Sequence, residues 1–250
     1  MDALILERSA LAVQALTADS PRRSADAAVR IACDPGSSET DRLDAATRLG
    51  VVGPATVIVT SFPGPPELRT TRIGGHAVAL VSGTPALPPD VRAGTAIAPE
   101  PAQLPVALER ARVALRLTDR VDGPGPCLVA YGDLGALATL AERISPQEAG
   151  ATPDVLRLEQ VLVTHPWVVD TLQAVLDQGS LRQAATGLHI HHSTLQERLS
   201  WLSTQLGYAV TKSGGRQRAA IAVLLWRIAH SEDERAEATA ESTGASCSKR

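Results

Sequence analysis

The sequence predicts an α+β protein, with N-terminal helices and a small α/β sandwich followed by an all-α C-terminal domain. Three observations carry this reading. Short β-branched runs alternate with helical patterns between residues 50 and 145, the apolar residues after 153 recur only at helical spacing, and Pro and Gly cluster between the segments. The chain has 250 residues, 44% apolar and 20% charged, enough for one or two domains with buried cores, which excludes disorder throughout.

Taken in order, apolar spacing through Leu4, Leu11, Val13 and Leu16 predicts helices in residues 1–37, ended by the DPGSS break at 34–38. TDRLDAATRLG reads as a helix stopping at Gly50, a residue suited to the position just past a helix end. ATVIVTSF (55–62) has the β-branched run of a buried strand, and PGPPEL (63–68) forbids regular pairing. RTTRI and HAVALV flank Gly74-Gly75 as a hairpin, and RAGTAIA (92–98) follows as another strand. Residues 101–120 predict a long amphipathic helix with Leu104, Ala107, Ala111, Ala114 and Leu115 on one side. CLVAY (127–131) is the last strand, before the helix LGALATLAERI. The sandwich is therefore expected over 38–148, and the Pro-containing stretch 146–153 reads as a linker.

The domain at 153–230 begins with an apolar face of Val168, Leu172, Val175 and Leu176, ended by Asp177-Gln178-Gly179. Ser180 offers an N-cap, with Gln183 three residues later to complete a capping box. The short helix LRQAATGL reaches a tight turn at His189 and Ile190, and a new helix begins near His192 or Ser193. Leu195, Leu199, Leu202 and Leu206, spaced four, three and four, share one face of it. Two short helices joined by a brief turn form the helix-turn-helix pattern, with a recognition helix over about 192–206. Residues 231–250 are polar and aperiodic and read as a disordered tail.

Composition narrows the chemistry. The longest apolar run, Ala219–Trp226, is far below the roughly 20 residues of a membrane span, and the opening MDALILERSA lacks the basic flank of a signal peptide, so a soluble, cytoplasmic protein with no membrane partner is expected. Cys33, Cys127 and Cys247 are too few and too scattered for a disulfide framework or a zinc site. The net charge of −3 hides a division: residues 151–230 carry seven bases against five acids and five of the six histidines, which permits a nucleic-acid partner. All three tryptophans are C-terminal. No local nucleophile triad and no phosphate-binding glycine loop occurs, so no enzyme activity, catalytic residue or cofactor is expected. His189, His191 and His192 cluster, but no Cys or carboxylate adjoins them at ligand spacing, and histidine tolerates a turn with positive φ, so no metal is expected either.

Counting 100° per residue from Leu195, the side chains opposing the leucines are Ser193, Glu197, Ser200 and Thr204, with Gln196 and Trp201 towards the sides. Hydroxyl and amide groups suit base edges and phosphates, and Glu197 can accept from cytosine N4 although every phosphate repels it. His192, Ser193, Thr194, Gln196, Glu197, Arg198 and Ser200 are the candidate contacts on the helix, and Arg182, Lys212, Arg216 and Arg218 the candidate phosphate partners around it. From spacing alone, an ordinary solvated helix in an α-helical hairpin fits equally well.

LQAVLDQGSLRQAATGLHIHHSTLQERLSWLSTQLG resembles the C-terminal helix-turn-helix of PucR/CdaR-type bacterial transcription regulators, with matches at Leu172, Leu176, Ser180, Ala185, Leu188, His191, Thr194, Arg198, Leu199, Leu202, Leu206 and Gly207. It departs from the family pattern at His192 (Arg in the family), Ser193 (Asn), Leu195 (Val) and Glu197 (Tyr), which alters the outward surface and spares the core. DRLDAATRLGV, RAGTAIA, ALERARVAL and AYGDLGALATLA are similar in order and spacing to the degenerate GGDEF-like domain that precedes it in such regulators. The resemblance implies a sequence-specific regulator of transcription that binds double-stranded DNA as a homodimer, with an activator favoured and a small-molecule effector of unknown identity. It implies no cyclase activity, since His76 and Ala77 stand where magnesium-binding carboxylates would be. The alternative is a protein-interaction module whose helix-turn-helix no longer binds DNA.

Overall fold

The computed structural model describes residues 21–83, 87–119 and 123–231. Helices and one five-stranded sheet make up a mixed α+β chain, as expected. The helices expected within residues 1–20 and the tail expected at 232–250 lie outside the described residues. Among the described residues, no helix is long and apolar enough to cross a membrane.

A helix at 21–33 (α1) is followed by α2 (Glu39–Arg48), whose N-cap Ser38 accepts from the Asp41 amide and whose exit runs through Gly50 at φ 76°. The strands are β1 (Ala55–Ser61), β2 (Thr71–Ile73), β3 (His76–Ser82), β4 (Ala93–Ala98) and β5 (Leu128–Ala130), hydrogen-bonded in the order β2-β3-β1-β4-β5. β1 and β3 pair antiparallel with Ile58 opposite Ala79, and β2 and β3 form the expected hairpin, Ile73 opposite His76 across Gly74-Gly75. Gly74 has φ 64°, which the tight turn needs and a side chain would resist. β1 is buried on both faces through Val57, Ile58 and Val59, which explains why its sequence is an unbroken apolar run and not an alternating one.

The chain divides into two compact units. One holds α1, α2, β1–β3 and Thr95–Arg112, and its buried residues include Ala32, Cys33, Ala46, Val78 and Ala111. Burial pushes the Cys33 thiol up to about 12, so it is an inert core residue. The predicted helix at 101–120 is a short 3-10 turn at Pro101–Gln103 followed by α3 (Leu104–Leu115), with all five predicted apolar residues buried.

The second unit holds residues 88–94 and the described chain from Val113 onward: the end of α3, β5, α4 (Ala136–Arg143), α5 (Pro146–Gly150), α6 (Pro153–Leu162), α7 (Val168–Asp177), α8 (Leu181–Gly187), α9 (His192–Leu206) and α10 (Ser213–His230). The stretch expected to be a linker, 146–153, is helical instead. Ser145 and Glu148 cap α5 reciprocally, which holds the Glu148 carboxyl below its ordinary range, and Ala149 is fully buried against α10. Proline here occupies the first position of two successive helices, where its missing N–H has no intrahelical partner to lose. One apolar cluster joins Leu117, Ala141, Ala149, Val155, Leu225 and Ile228, and a larger one joins α6 to α10 through Leu158, Leu172, Leu195, Leu199, Leu202 and Val223.

Candidate nucleic-acid interface

The turn between α8 and α9 is set by backbone geometry. The Ile190 amide donates to the Ala185 carbonyl (3.0 Å) and the His189 amide to Thr186 (3.1 Å), which is the six-to-one and five-to-two pairing of a Schellman cap. The pairing requires a left-handed residue at His189, which has φ 54°, and it drives Ile190 back onto the apolar cluster beside Ala184 and Ala185. At the start of α8, Ser180 accepts from the Gln183 amide (3.3 Å). The other half of the expected capping box differs: the Gln183 side chain takes the Ser180 hydroxyl (3.0 Å) in place of its backbone N–H.

His191 is the N-cap of α9, where Ser, Thr, Asp or Asn is usual. Its Nδ1 accepts from the Ser193 amide (3.3 Å) and lies 2.7 Å from the Ser193 hydroxyl. The helix then runs for four turns to Gly207, left-handed at φ 77°. Leu195, Leu199, Leu202 and Leu206 are all buried, as their spacing predicts. The opposite side exposes Ser193, Gln196, Glu197, Ser200 and Thr204, while His192, Thr194 and Trp201 are half-buried at its margins. This surface has polar donors and acceptors on a rigid helix, and its one formal charge is negative.

The candidate basic residues separate into two groups. Arg182 on α8 and Lys212, immediately before α10, are exposed. The other three contact groups of the protein itself, Arg218 while remaining exposed. Arg198 lies over the Trp167 ring (4.5 Å to the centroid) with one guanidinium nitrogen 3.5 Å from the Thr171 hydroxyl. Arg216 donates to the carbonyls of Val175 (2.5 Å), Leu176 (3.4 Å) and Gln178 (3.2 Å), which α7 leaves without intrahelical partners at its end. Arg218 makes a two-point contact with Asp154 (2.6 and 2.7 Å) and covers the Tyr208 ring. That contact holds the Asp154 carboxyl below its ordinary range, and burial, with Asp154 beside it, pushes the Tyr208 phenol up to about 12.

The candidate list omitted the parts that orient the helix. Trp167, Trp201 and His165 form an aromatic group, with His165 and Trp201 centroids 4.2 Å apart and the two tryptophans 5.5 Å apart, and it fastens one flank of α9 to the α6–α7 loop. The signal available in the sequence was the confinement of tryptophan to this domain.

No curated protein matches the sequence. The crystal structure of a regulator of polyketide synthase expression from Bifidobacterium adolescentis is similar over 82% of this chain and 98% of that one, at 14% identity and a TM-score of 0.31. Residues 168–225, from the first residue of α7 into α10, match the PucR C-terminal helix-turn-helix domain.

Proposed function

We propose that the protein is a cytoplasmic, sequence-specific transcription regulator that reads duplex DNA with α9 and has no enzymatic activity of its own. The observation that carries this is the division of α9 into a buried leucine face and an exposed face of Ser193, Gln196, Glu197 and Ser200, on a helix fixed at both ends by caps. Such a face enters a major groove with its N-terminal residues at the base edges, while Arg182 and Lys212 take phosphates. One short helix contacts too few base pairs for an operator, so the active species is a homodimer on two half-sites. Residues 38–148 act as a degenerate GGDEF-like domain that receives a small-molecule effector, and activation is the favoured sign of regulation, both by analogy with the family.

A second reading keeps the fold and discards DNA: a protein-interaction module. The exposed carboxylate of Glu197 and the pairing of Arg198, Arg216 and Arg218 with the protein's own groups favour it. Selection of bound sequences from a random duplex pool separates the two. Enrichment of a two-fold symmetric site, changed in one base position by Gln196→Ala, supports the regulator; no enrichment at low salt supports the interaction module.

A further inference from the structure

The second compact unit contains a chain of polar contacts that joins Asp119, after α3, to α7, the helix that leads into the α8–α9 pair. Asp119 is 7% exposed and Arg227 11%, and a guanidinium nitrogen of Arg227 lies 3.2 Å from the Asp119 carboxylate. The same nitrogen donates to the Gln173 side-chain oxygen (2.9 Å), and Gln173 in turn donates to Asp177 (2.7 Å) in the last turn of α7. Asp119 is held on its other side: its carboxylate accepts from the Gly125 amide (3.0 Å) and its own amide donates to the Pro126 carbonyl (2.9 Å). A side chain at Gly125 would overlap the Arg227 guanidinium as it is placed.

Arg92 donates to the Thr118 hydroxyl (2.5 Å) and the Leu115 carbonyl (3.4 Å), and Arg116 to the carbonyls of Ala141 (2.6 Å) and Ile144 (2.7 Å), so the backbone that presents Asp119 is fixed at several points. At the far end, Asp177 immediately precedes the Gln178 carbonyl that Arg216 holds, and Ser180 then caps α8. The helix-turn-helix therefore starts from a corner fixed on both sides by arginines of α10: Arg227 through Gln173 and Arg216 through three carbonyls.

We propose that Arg227 is a positioning residue for the DNA-reading helix, through which Asp119 sets the α7–α8 corner. The proposal rests on the DNA-binding reading for its functional consequence and on geometry alone for its structural one. Breaking the chain at Asp119 loosens the corner without touching α9. Because the two breaks lie on one route, their effects are not additive.

The test uses the full-length protein and the variants Asp119→Asn, Gln173→Leu and their combination, with hydrogen exchange of the 177–181 amides and titration against the duplex selected above. Gln173 is half-buried, so its replacement by Leu leaves a folded chain, checked by unchanged exchange across α9. The expected result is exchange at 177–181 at least ten-fold faster in each single variant and about ten-fold weaker duplex binding, with the double variant no worse than the more affected single one. Unchanged exchange at 177–181 in Asp119→Asn, or strictly additive effects in the double variant, overturns the proposal. If the wild type binds no duplex, the DNA reading fails and the positioning role is decided by the exchange measurement alone.

Discussion

The Arg198 guanidinium lies 4.5 Å above the Trp167 ring, so a charge on α9 is directed at the protein's own aromatic surface. A cation over a tryptophan face, partly withdrawn from water, contributes about 1 kcal/mol or somewhat more. Arg198→Met keeps the aliphatic stem and removes the cation, and should lower the unfolding free energy by about that amount in urea. Arg198→Lys should recover part of it. A variant as stable as the wild type would show that the contact carries no energy.

His189 is a non-glycine residue at φ 54° in the Schellman cap of α8. Replacement by Gly removes the steric cost of the left-handed conformation and should stabilise the domain by up to about 1 kcal/mol, although glycine's greater unfolded freedom offsets some of this. His189→Val, β-branched, should destabilise. Thermal unfolding of both variants checks the order Gly, His, Val; Val equal to His would contradict the assigned turn.

Gly215 sits in the first turn of α10, where a Cβ would overlap the Ala209 carbonyl oxygen. Since backbone must move to admit a methyl group, Gly215→Ala should cost about 1–3 kcal/mol, whereas alanine at Gly214, with open space around it, should be neutral or mildly stabilising. The pair of melting temperatures checks this, and equal behaviour would remove the steric argument.

The Asp154 carboxyl is held below its ordinary range by Arg218, with Arg157 adding to the field. A folded-state value below the unfolded one, roughly 3.9, means that the contact stabilises fully above that pH and is lost as pH falls through the depressed value. The stability gap between wild type and Asp154→Asn should therefore narrow on acidification from pH 7 towards pH 3. A gap that stays constant would show that the charge on Asp154 does not contribute.

The elements that local chemistry determines were legible. The leucine stripe of α9, the helix ends at Gly50 and Ser180, and the Gly74-Gly75 hairpin each depend on residues a few positions apart. Contacts between distant residues were not. Arg218 finds Asp154 64 positions away, Arg227 finds Asp119 108 positions away, and the carbonyls that occupy Arg216 belong to backbone 38 to 41 positions earlier. An arginine in the sequence looks the same whether it faces phosphate or caps a helix. The 146–153 stretch was misread for a different reason: proline both breaks helices and begins them, and the Ser145–Glu148 capping box decides between the two.

Two substitutions on opposite faces of α9 separate recognition from folding. Leu199 is 2% exposed, and Leu199→Ala should destabilise the domain by about 2–5 kcal/mol. Ser193 and Gln196 are exposed, and alanine at either should weaken specific binding by about 1 kcal/mol or more; Gln196→Ala should leave unfolding unchanged, whereas Ser193→Ala also removes the hydroxyl that meets the His191 N-cap. Normal binding by both alanine variants would displace the recognition surface from α9.

Glu197 tests the central claim within one residue, because it stands exposed in the middle of the face assigned to the groove. The decisive measurement is a titration of wild type and Glu197→Gln against duplex DNA at about 50 and 200 mM salt, a range over which phosphate contacts show their salt dependence. On a DNA-facing helix the carboxylate lies in a strongly negative field, so Glu197→Gln should bind non-specific duplex more tightly at low salt and lose preference for a cytosine in the site. Absence of measurable binding by either protein at the lower salt concentration would contradict the assignment of this helix to DNA.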